Sequence, residues 1–370
     1  MTSNPDQLID LVLKYCNDCG QSLENIIPIK EKTRQLVDIP PIRAVWTQYT
    51  TYSKRCSCGQ CTIADFPKGV NTPVSYGAII AYLHTRQYLP FAKMKEMMNN
   101  VFNINSSEGG LHYLLNRFAD KTTPFYTVIK QRISTAMVVG TDETGVKVDG
   151  NKHWFWTWQN SQLTYIAHSN TRGNLAIQTN FPQGFPNATL VGDGWRAQAA
   201  TMAKHHQSCL PHLLRHLNYL NEKYSKNQWS RNFQKLLYDA IDLSKKQNIR
   251  QPNIETTKII QRLGKLLEIP PDKQHKELHT FYKRMCRERQ LLFTFLFFKD
   301  VPSDNNASER AIRNVKVKQK ISGQFKTQKA AQNFAKIRSI IDTTIKNGMN
   351  ILQALELITK VEIQNNILTD

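Results

Sequence analysis

The sequence predicts an α/β protein: a mixed β-sheet with helices packed on it, followed by a long helical stretch and preceded by a cysteine-rich region and a helical region. Three observations predict it. Between Ala136 and Asp193 apolar residues alternate with polar ones in four short runs separated by turn signals. From Cys209 onward apolar residues recur instead at a spacing of three and four. Five of the seven cysteines fall before residue 62.

The chain has 370 residues, 40% of them hydrophobic and 21% charged, enough for two or three domains with cores of their own. It opens on the polar "MTSNPDQLID", which has no apolar leader. Its longest apolar run, "LLFTFLFF" at Leu291–Phe298, is far short of a bilayer and reads as a buried strand or helix turn. The expectation is a cytoplasmic protein with no membrane partner. Lys and Arg total 49 against 29 Asp and Glu, a net charge of +20, with a dense cluster in "ERAIRNVKVKQKISGQFKTQK". Such a surface favours a polyanionic partner, most simply DNA or RNA.

Residues 1–70 carry "CNDC" (Cys16, Cys19) and "CSCGQC" (Cys56, Cys58, Cys61). Without an export signal these thiols read as metal ligands rather than disulfides. Two knuckles can close a tetrahedral thiolate site, so a zinc-ribbon-like domain is expected, with one structural Zn²⁺ on Cys16, Cys19, Cys58 and Cys61. Cys56 is a spare that competes with Cys58. The alternating "IRAVWTQYTTYSKR" should lead into the second knuckle as a strand.

Residues 71–133 turn helical. "VSYGAIIAYLHTR" and "PFAKMKEMMNNVF" are amphipathic, Pro90 is placed to start the second, and Ser106 and Ser107 are candidate caps for a third. Short helices, a polar turn and a basic surround predict a helix-turn-helix-like DNA-binding region. In residues 134–217 come "AMVVGTDETGVKV", "HWFWTWQN" and "LTYIAHS", with an Asp-Gly turn in "VDGNKH". A short helix and a fourth strand, "ATLVGD", follow. After "GDGWRAQ" the pattern is helical to about Leu296. Residues 303–370 read as a long cationic helix, a break at Gly323, and a helix ending at Gly348.

Within this frame three acids stand out. Asp142 lies mid-strand, Asp193 at the end of the fourth strand, and Glu309 in the first turn of the helix announced by "PSDNNASERAIR". Phosphodiester chemistry needs such a set, because carboxylates are the hard ligands that hold paired divalent ions on the attacking and leaving oxygens. Strand alternation puts Glu143 on the opposite face from Asp142, so one of the two can meet a metal, and Asp142 is chosen.

These residues carry a resemblance. "TDETGVKVDGNKHWFWTWQN", "VGDGWRAQ", "HQSCLPHLLRHLNYL" and above all "VPSDNNASERAIRNVKVKQKISGQFKTQKAAQNFAKIRSII" resemble the insertion-sequence-66 family of bacterial DDE transposases, over most of the chain. The resemblance implies a ribonuclease-H-like core with a helical insertion, residues 218–302, between its second and third acids. It implies Asp142, Asp193 and Glu309 as catalytic residues holding two Mg²⁺ (or Mn²⁺). It further implies cleavage at the ends of a mobile element and transfer of the freed 3′ hydroxyl into target DNA. The partners implied are double-stranded DNA, as terminal inverted repeats and target, and further copies of the chain, in a bacterial, nucleoid-associated setting.

Arg310, Arg313, Lys316, Lys318 and Lys320 suit phosphate contacts beside that site. Trp195, after the Asp-Gly turn, is the aromatic candidate for DNA, whereas Trp154, Trp156 and Trp158 alternate as sheet core. Cys209 and His212 resemble a Cys/His pair that follows the second acid in several DDE families. With no partner ligand evident, they read as packing or hydrogen-bonding groups. Family members commonly carry a longer region before the first knuckle, whereas 15 residues precede Cys16 here. A second expectation, against which the three intact acids argue, is a catalytically idle or domesticated zinc-containing DNA-binding protein.

Overall fold

The computed structural model describes residues 3–360 apart from 31, 38–41, 43, 68–75 and 247–251. In the cysteine-rich region β1 (Ser53–Arg55) and β2 (Cys61–Ile63) form an antiparallel hairpin. The turn between them is closed by the Cys56 amide donating to the Gln60 carbonyl at 2.8 Å. The strand expected over 42–55 is confined to its last three residues. Almost every described side chain here is exposed, so the region has no apolar core to order it. The expected boundary at 70/71 lies outside the described residues.

Next come α1 (Gly77–Ala81), continued by a π-helical turn at Tyr82–Arg86, α2 (Phe91–Phe102), α3 (Glu108–Lys121) and α4 (Thr123–Ser134). Pro90 stands at the N-cap of α2, and the Ser107 hydroxyl caps α3 by accepting the Gly110 amide at 3.0 Å. These helices bury Ile80, Met94, Leu111 and Ile133 in one cluster with Val139, Trp156 and Trp158 of the sheet. They are built into the main core rather than standing apart from it.

The central sheet contains β3 (Val138–Val148), β4 (Asn151–Gln159) and β5 (Thr164–Ser169), then β6 (Phe185–Gly192) and β7 (Ala203–Ser208). α5 (Asn174–Asn180) joins β5 to β6, and α6 (Arg196–Ala199) joins β6 to β7. The strand order is β5-β4-β3-β6-β7, antiparallel through β5, β4 and β3 and parallel from β3 through β6 to β7. Asp149 and Gly150, both at positive φ (48° and 74°), make the tight β3–β4 turn that suits strand twist. β7 overturns the expected unbroken helix after "GDGWRAQ". Its sequence, "AKHHQS", has no apolar alternation, and it is a strand because β6 supplies the ladder.

Then follow α7 (Leu210–Lys223), α8 (Gln228–Lys246), α9 (Ile254–Glu268) and α10 (Lys276–Glu288). They enclose a second cluster of Leu213, Leu217, Phe233, Leu237 and Phe281, anchored to the sheet by Val191. The run Leu291–Phe298 resolves into two 3₁₀ turns that bury Leu292, Phe293, Phe295 and Leu296. Finally α11 (Asn306–Ser322), α12 (Gln328–Lys346) and α13 (Ile351–Lys360) return to the sheet. Glycines at positive φ end the first two, Gly323 at 72° and Gly348 at 66°. Ile312 and Val315 of α11 and Phe334 of α12 pack on Val146, Phe155 and Ile166. Phe155 and Trp156 are neighbours on one strand and enter different clusters, so helices cover both faces of the sheet. No helix among the described residues is long and apolar enough to cross a membrane.

Candidate active site

Register places the acids of β3. Asp142 pairs with Thr157 and Glu143 with Trp156, so Glu143 shares the tryptophan face. Asp142 shares the other face with Gly140, where a Cβ would stand 2.6 Å from Ser308 Oγ of α11. The Asp142 carboxylate accepts the Glu143 amide at 2.8 Å. Burial pushes its pKa up to about 7; that amide opposes the rise, and the charges of Glu143, Asp193 and Glu309 add to it. Glu143 is deeply buried but partnered: Arg172 Nε and Gln198 Nε2 donate to it at 2.8 and 2.7 Å. Burial raises its pKa in spite of the guanidinium.

Asp193 follows the last residue of β6, in a turn opened by Gly194 at φ 81°. Its Oδ1 accepts the Trp195 amide at 2.9 Å, and its own amide donates to Gln198 Oε1 at 3.2 Å. Gln198, 2% exposed, thus ties Glu143 to the Asp193 backbone with its two amide ends. From α10, Arg284 donates to the Asp193 carbonyl at 3.4 Å. The Arg172 guanidinium lies 3.6 Å over the Trp195 ring and 5.1 Å from that of Trp154.

Glu309 arrives on α11, which is clamped to the sheet by polar bonds. Asn305 Nδ2 donates to the Thr141 carbonyl at 2.7 Å, and Gln159 Nε2 to Ser308 Oγ at 3.1 Å. Glycine at 140 is what leaves room for this clamp, since a Cβ there would also come 2.5 Å from Gln159 Nε2. Glu309 Oε1 lies 3.6 Å from His212 Nδ1 and 3.8 Å from Arg215 Nη2, and it has no hydrogen-bond partner. Cys209 stands beside them; its Sγ accepts the Asn305 amide at 3.3 Å, and burial raises its pKa to about 11. Among the described residues, the group of three metal-type donors within 4.8 Å of one another is Cys209, His212 and Glu309. Asp142, Asp193 and Glu309 are not gathered that tightly; their charges meet at Asp142.

Arg310, Arg313, Lys316 and Lys320 lie along the exposed face of α11, with Lys316 Nζ donating to the Gly145 carbonyl at 2.7 Å. Lys318 corrects the expected phosphate set. It is 5% exposed, and burial lowers its pKa to about 8. It falls on the stripe of Ala311 and Val315, which faces the sheet. Trp195 is 38% exposed at the mouth of the site. Trp156 and Trp158 are buried and stacked, as core residues should be, while Trp154 is half-buried beneath Lys152 and Arg172.

The knuckle cysteines suit a metal chemically. The Cys19 amide lowers the pKa of Cys16, and the Cys58 amide lowers that of Cys56, both acting by N–H···S bonds that favour the thiolate. Both loops close tightly, with the Gly20 and Gly59 amides donating to the Cys16 and Cys56 carbonyls at 3.0 and 2.9 Å.

A family model described as "Transposase IS66 family" matches residues 70–333, more than two thirds of the chain, and spans Asp142, Asp193 and Glu309. The chain belongs to the IS66 transposase family. A second model, the zinc-finger binding domain of transposase IS66, matches residues 14–59 and supports a structural zinc in this IS66 family member. That match holds Cys16, Cys19, Cys56 and Cys58 and stops before Cys61. No curated protein matches the chain.

Sequence reasoning missed Arg172, Gln198, Asn305, Ser308, Arg215 and Arg284. Asn305 and Ser308 sit three apart immediately before Glu309, on the helix stripe that continues to Ile312, so their burial was readable from the period. Arg172 and Arg284 lie in a loop and a remote helix, and no local pattern marks them.

Proposed function

We propose that this chain is a DDE transposase that cuts DNA at the ends of its element and joins the freed 3′ hydroxyl to target DNA. In this reading Asp142, Asp193 and Glu309 hold two Mg²⁺ or Mn²⁺. The observation that carries it is Asp142 itself, a half-buried carboxylate borne mid-strand, raised to about 7 chiefly by burial, with the charges of Glu143, Asp193 and Glu309 adding to the rise. Carboxylates that feel one another's charge in a partly buried site are hard oxygen donors of the kind a divalent cation takes. Bound magnesium would supply Lewis-acid stabilisation of the attacking and leaving oxygens.

The chain's own residues do the rest. Gln198 and Arg284 fix the Asp193 turn, while Asn305, Ser308 and Gln159 fix the Glu309 helix. Arg310, Arg313, Lys316 and Lys320 would hold phosphates, and Trp195 would stack at the mouth. The strand order, three antiparallel strands followed by two parallel ones, supports a ribonuclease-H-like core. The N-terminal zinc, on Cys16 and Cys19 with two of Cys56, Cys58 and Cys61, would order the terminal region for DNA contact. Double-stranded DNA is the proposed partner, with further copies of the chain assembled on it.

The test is incubation of the protein with duplexes carrying the element's ends, in magnesium. Nicked ends and strand-transfer products are expected from the wild type, with a loss of about a thousandfold in Asp142→Asn. Equal product from both proteins, or DNA binding without product, would overturn the reading and leave the zinc-containing DNA-binding protein.

A further inference from the structure

From the grouping of Cys209, His212 and Glu309 we infer a second metal site, for a soft divalent cation such as zinc, that shares Glu309 with the catalytic pocket. In sequence the Cys209–His212 pair has no third ligand, and the fold supplies one. Cys209 is the N-cap of α7 and His212 lies in its first turn, while α11 brings Glu309 across from another part of the chain. One donor atom from each lies within 4.8 Å of the other two.

The spacing decides between a metal and a hydrogen bond. His212 Nδ1 and Glu309 Oε1 are 3.6 Å apart, and neither buried atom has a hydrogen-bond partner. Two ligands at tetrahedral angles on zinc stand about 3.3 Å apart, given zinc–nitrogen and zinc–oxygen bonds near 2 Å. The pair is therefore too wide to bond and close to the width that a cation fills. Thiolate, imidazole and carboxylate are zinc's own donor set, with one position left to solvent. Magnesium, which takes oxygen ligands, would not choose this site. Arg215, 3.8 Å from Oε1, is the opposing charge, but its side chain is 64% exposed and has room to swing out.

A cation here holds the Glu309 carboxylate against α7 and withdraws it from magnesium, so zinc acts as a brake on cleavage. This regulatory half rests on the proposed role of Glu309; the binding half does not.

The test compares the full chain with Cys209→Ser, which keeps an acceptor for the Asn305 amide, and with His212→Ala, whose side chain is 37% exposed and outside the core. The N-terminal knuckle is intact in all three. Under cobalt(II) titration, the wild type should bind one more equivalent than either variant, with added thiolate-to-cobalt absorption. Equal stoichiometry and spectra overturn the site. In magnesium-supported cleavage, zinc should inhibit the wild type, and Cys209→Ser should need at least about tenfold more zinc, as loss of one ligand predicts. An extra cobalt with unchanged zinc inhibition overturns the brake. An extra cobalt in a protein that never cleaves DNA upholds the site and overturns the transposase reading.

Discussion

At the scale of single residues, the proposed chemistry turns on carboxylates that the fold partly withdraws from water. Asp142 is raised to about 7, chiefly by burial, so below that pH a cation must displace a proton to reach it. Magnesium affinity, read by thermal shift, should therefore weaken between pH 8 and 6, by about tenfold per unit once below 7. The sign for stability is the reverse of the usual carboxylate. A folded-state pKa above the unfolded value means that the metal-free protein loses stability as pH climbs from about 4 to about 7. In magnesium-free buffer at pH 8, Asp142→Asn should unfold later than wild type, by on the order of 1 kcal/mol, and the gap should close only toward pH 4. Gln198 is a positioning residue of a different kind, holding Glu143 with one end and the Asp193 amide with the other. Gln198→Ala leaves a buried carboxylate oxygen short of a donor and should cost about 1–3 kcal/mol in denaturant unfolding. On the proposed role of Asp193, cleavage should fall with it through kcat rather than KM, because the loosened turn would carry a metal ligand and no DNA contact.

At the scale of elements, α11 presents two faces with opposite work. Ala311, Ile312, Val315 and Lys318 face inward, while Arg310, Arg313, Lys316 and Lys320 face solvent. Charge reversal or truncation should separate them. Arg310→Ala and Arg313→Ala should each weaken DNA binding across sequences and lower its salt dependence by about one counterion. Lys318→Met should leave DNA affinity unchanged and raise the melting temperature, because it removes a buried ammonium. Filter binding or fluorescence anisotropy across a salt series would read both. The same helix explains why the clamp around Gly140 is polar. Asn305, Ser308 and Gln159 fix the register of α11 on β3 and so the height of Glu309, a specificity that an apolar contact would leave loose.

At the scale of the whole molecule, two kinds of order coexist. The described residues from 76 to 360 are held by three apolar clusters, whereas those before 68 bury almost nothing and depend on short loops around cysteines. Metal binding there is folding free energy in its own right. Chelation should therefore open the terminal region to protease, releasing a fragment that begins near residue 76, while the near-ultraviolet signal of buried Trp156 and Trp158 stays in place. Mass spectrometry of limited digests with and without zinc would read this, and unchanged cleavage would remove zinc from the account of that region.

The sequence by itself determined the strands around Asp142, the Asp-Gly turn after them, the capped helices and the glycine stops of α11 and α12. Period two, period 3.6 and positive φ are local demands that residues meet without help from afar. It also set the family, because the long block around Glu309 is a contiguous signature. The tertiary structure alone decided the rest. β7 is a strand only because β6 lies beside it, and "AKHHQS" carries no pattern of its own. Lys318 is buried because the alternating Val and Lys of "VKVK" lie on a helix, where the neighbour of a lysine is not its sequence partner. Gln198, Arg172 and Arg284 converge from three segments, and Cys209 and His212 meet Glu309 from nearly a hundred residues away. Contacts of that length are fixed by how elements pack, and packing energy is shared among residues that no local window holds together.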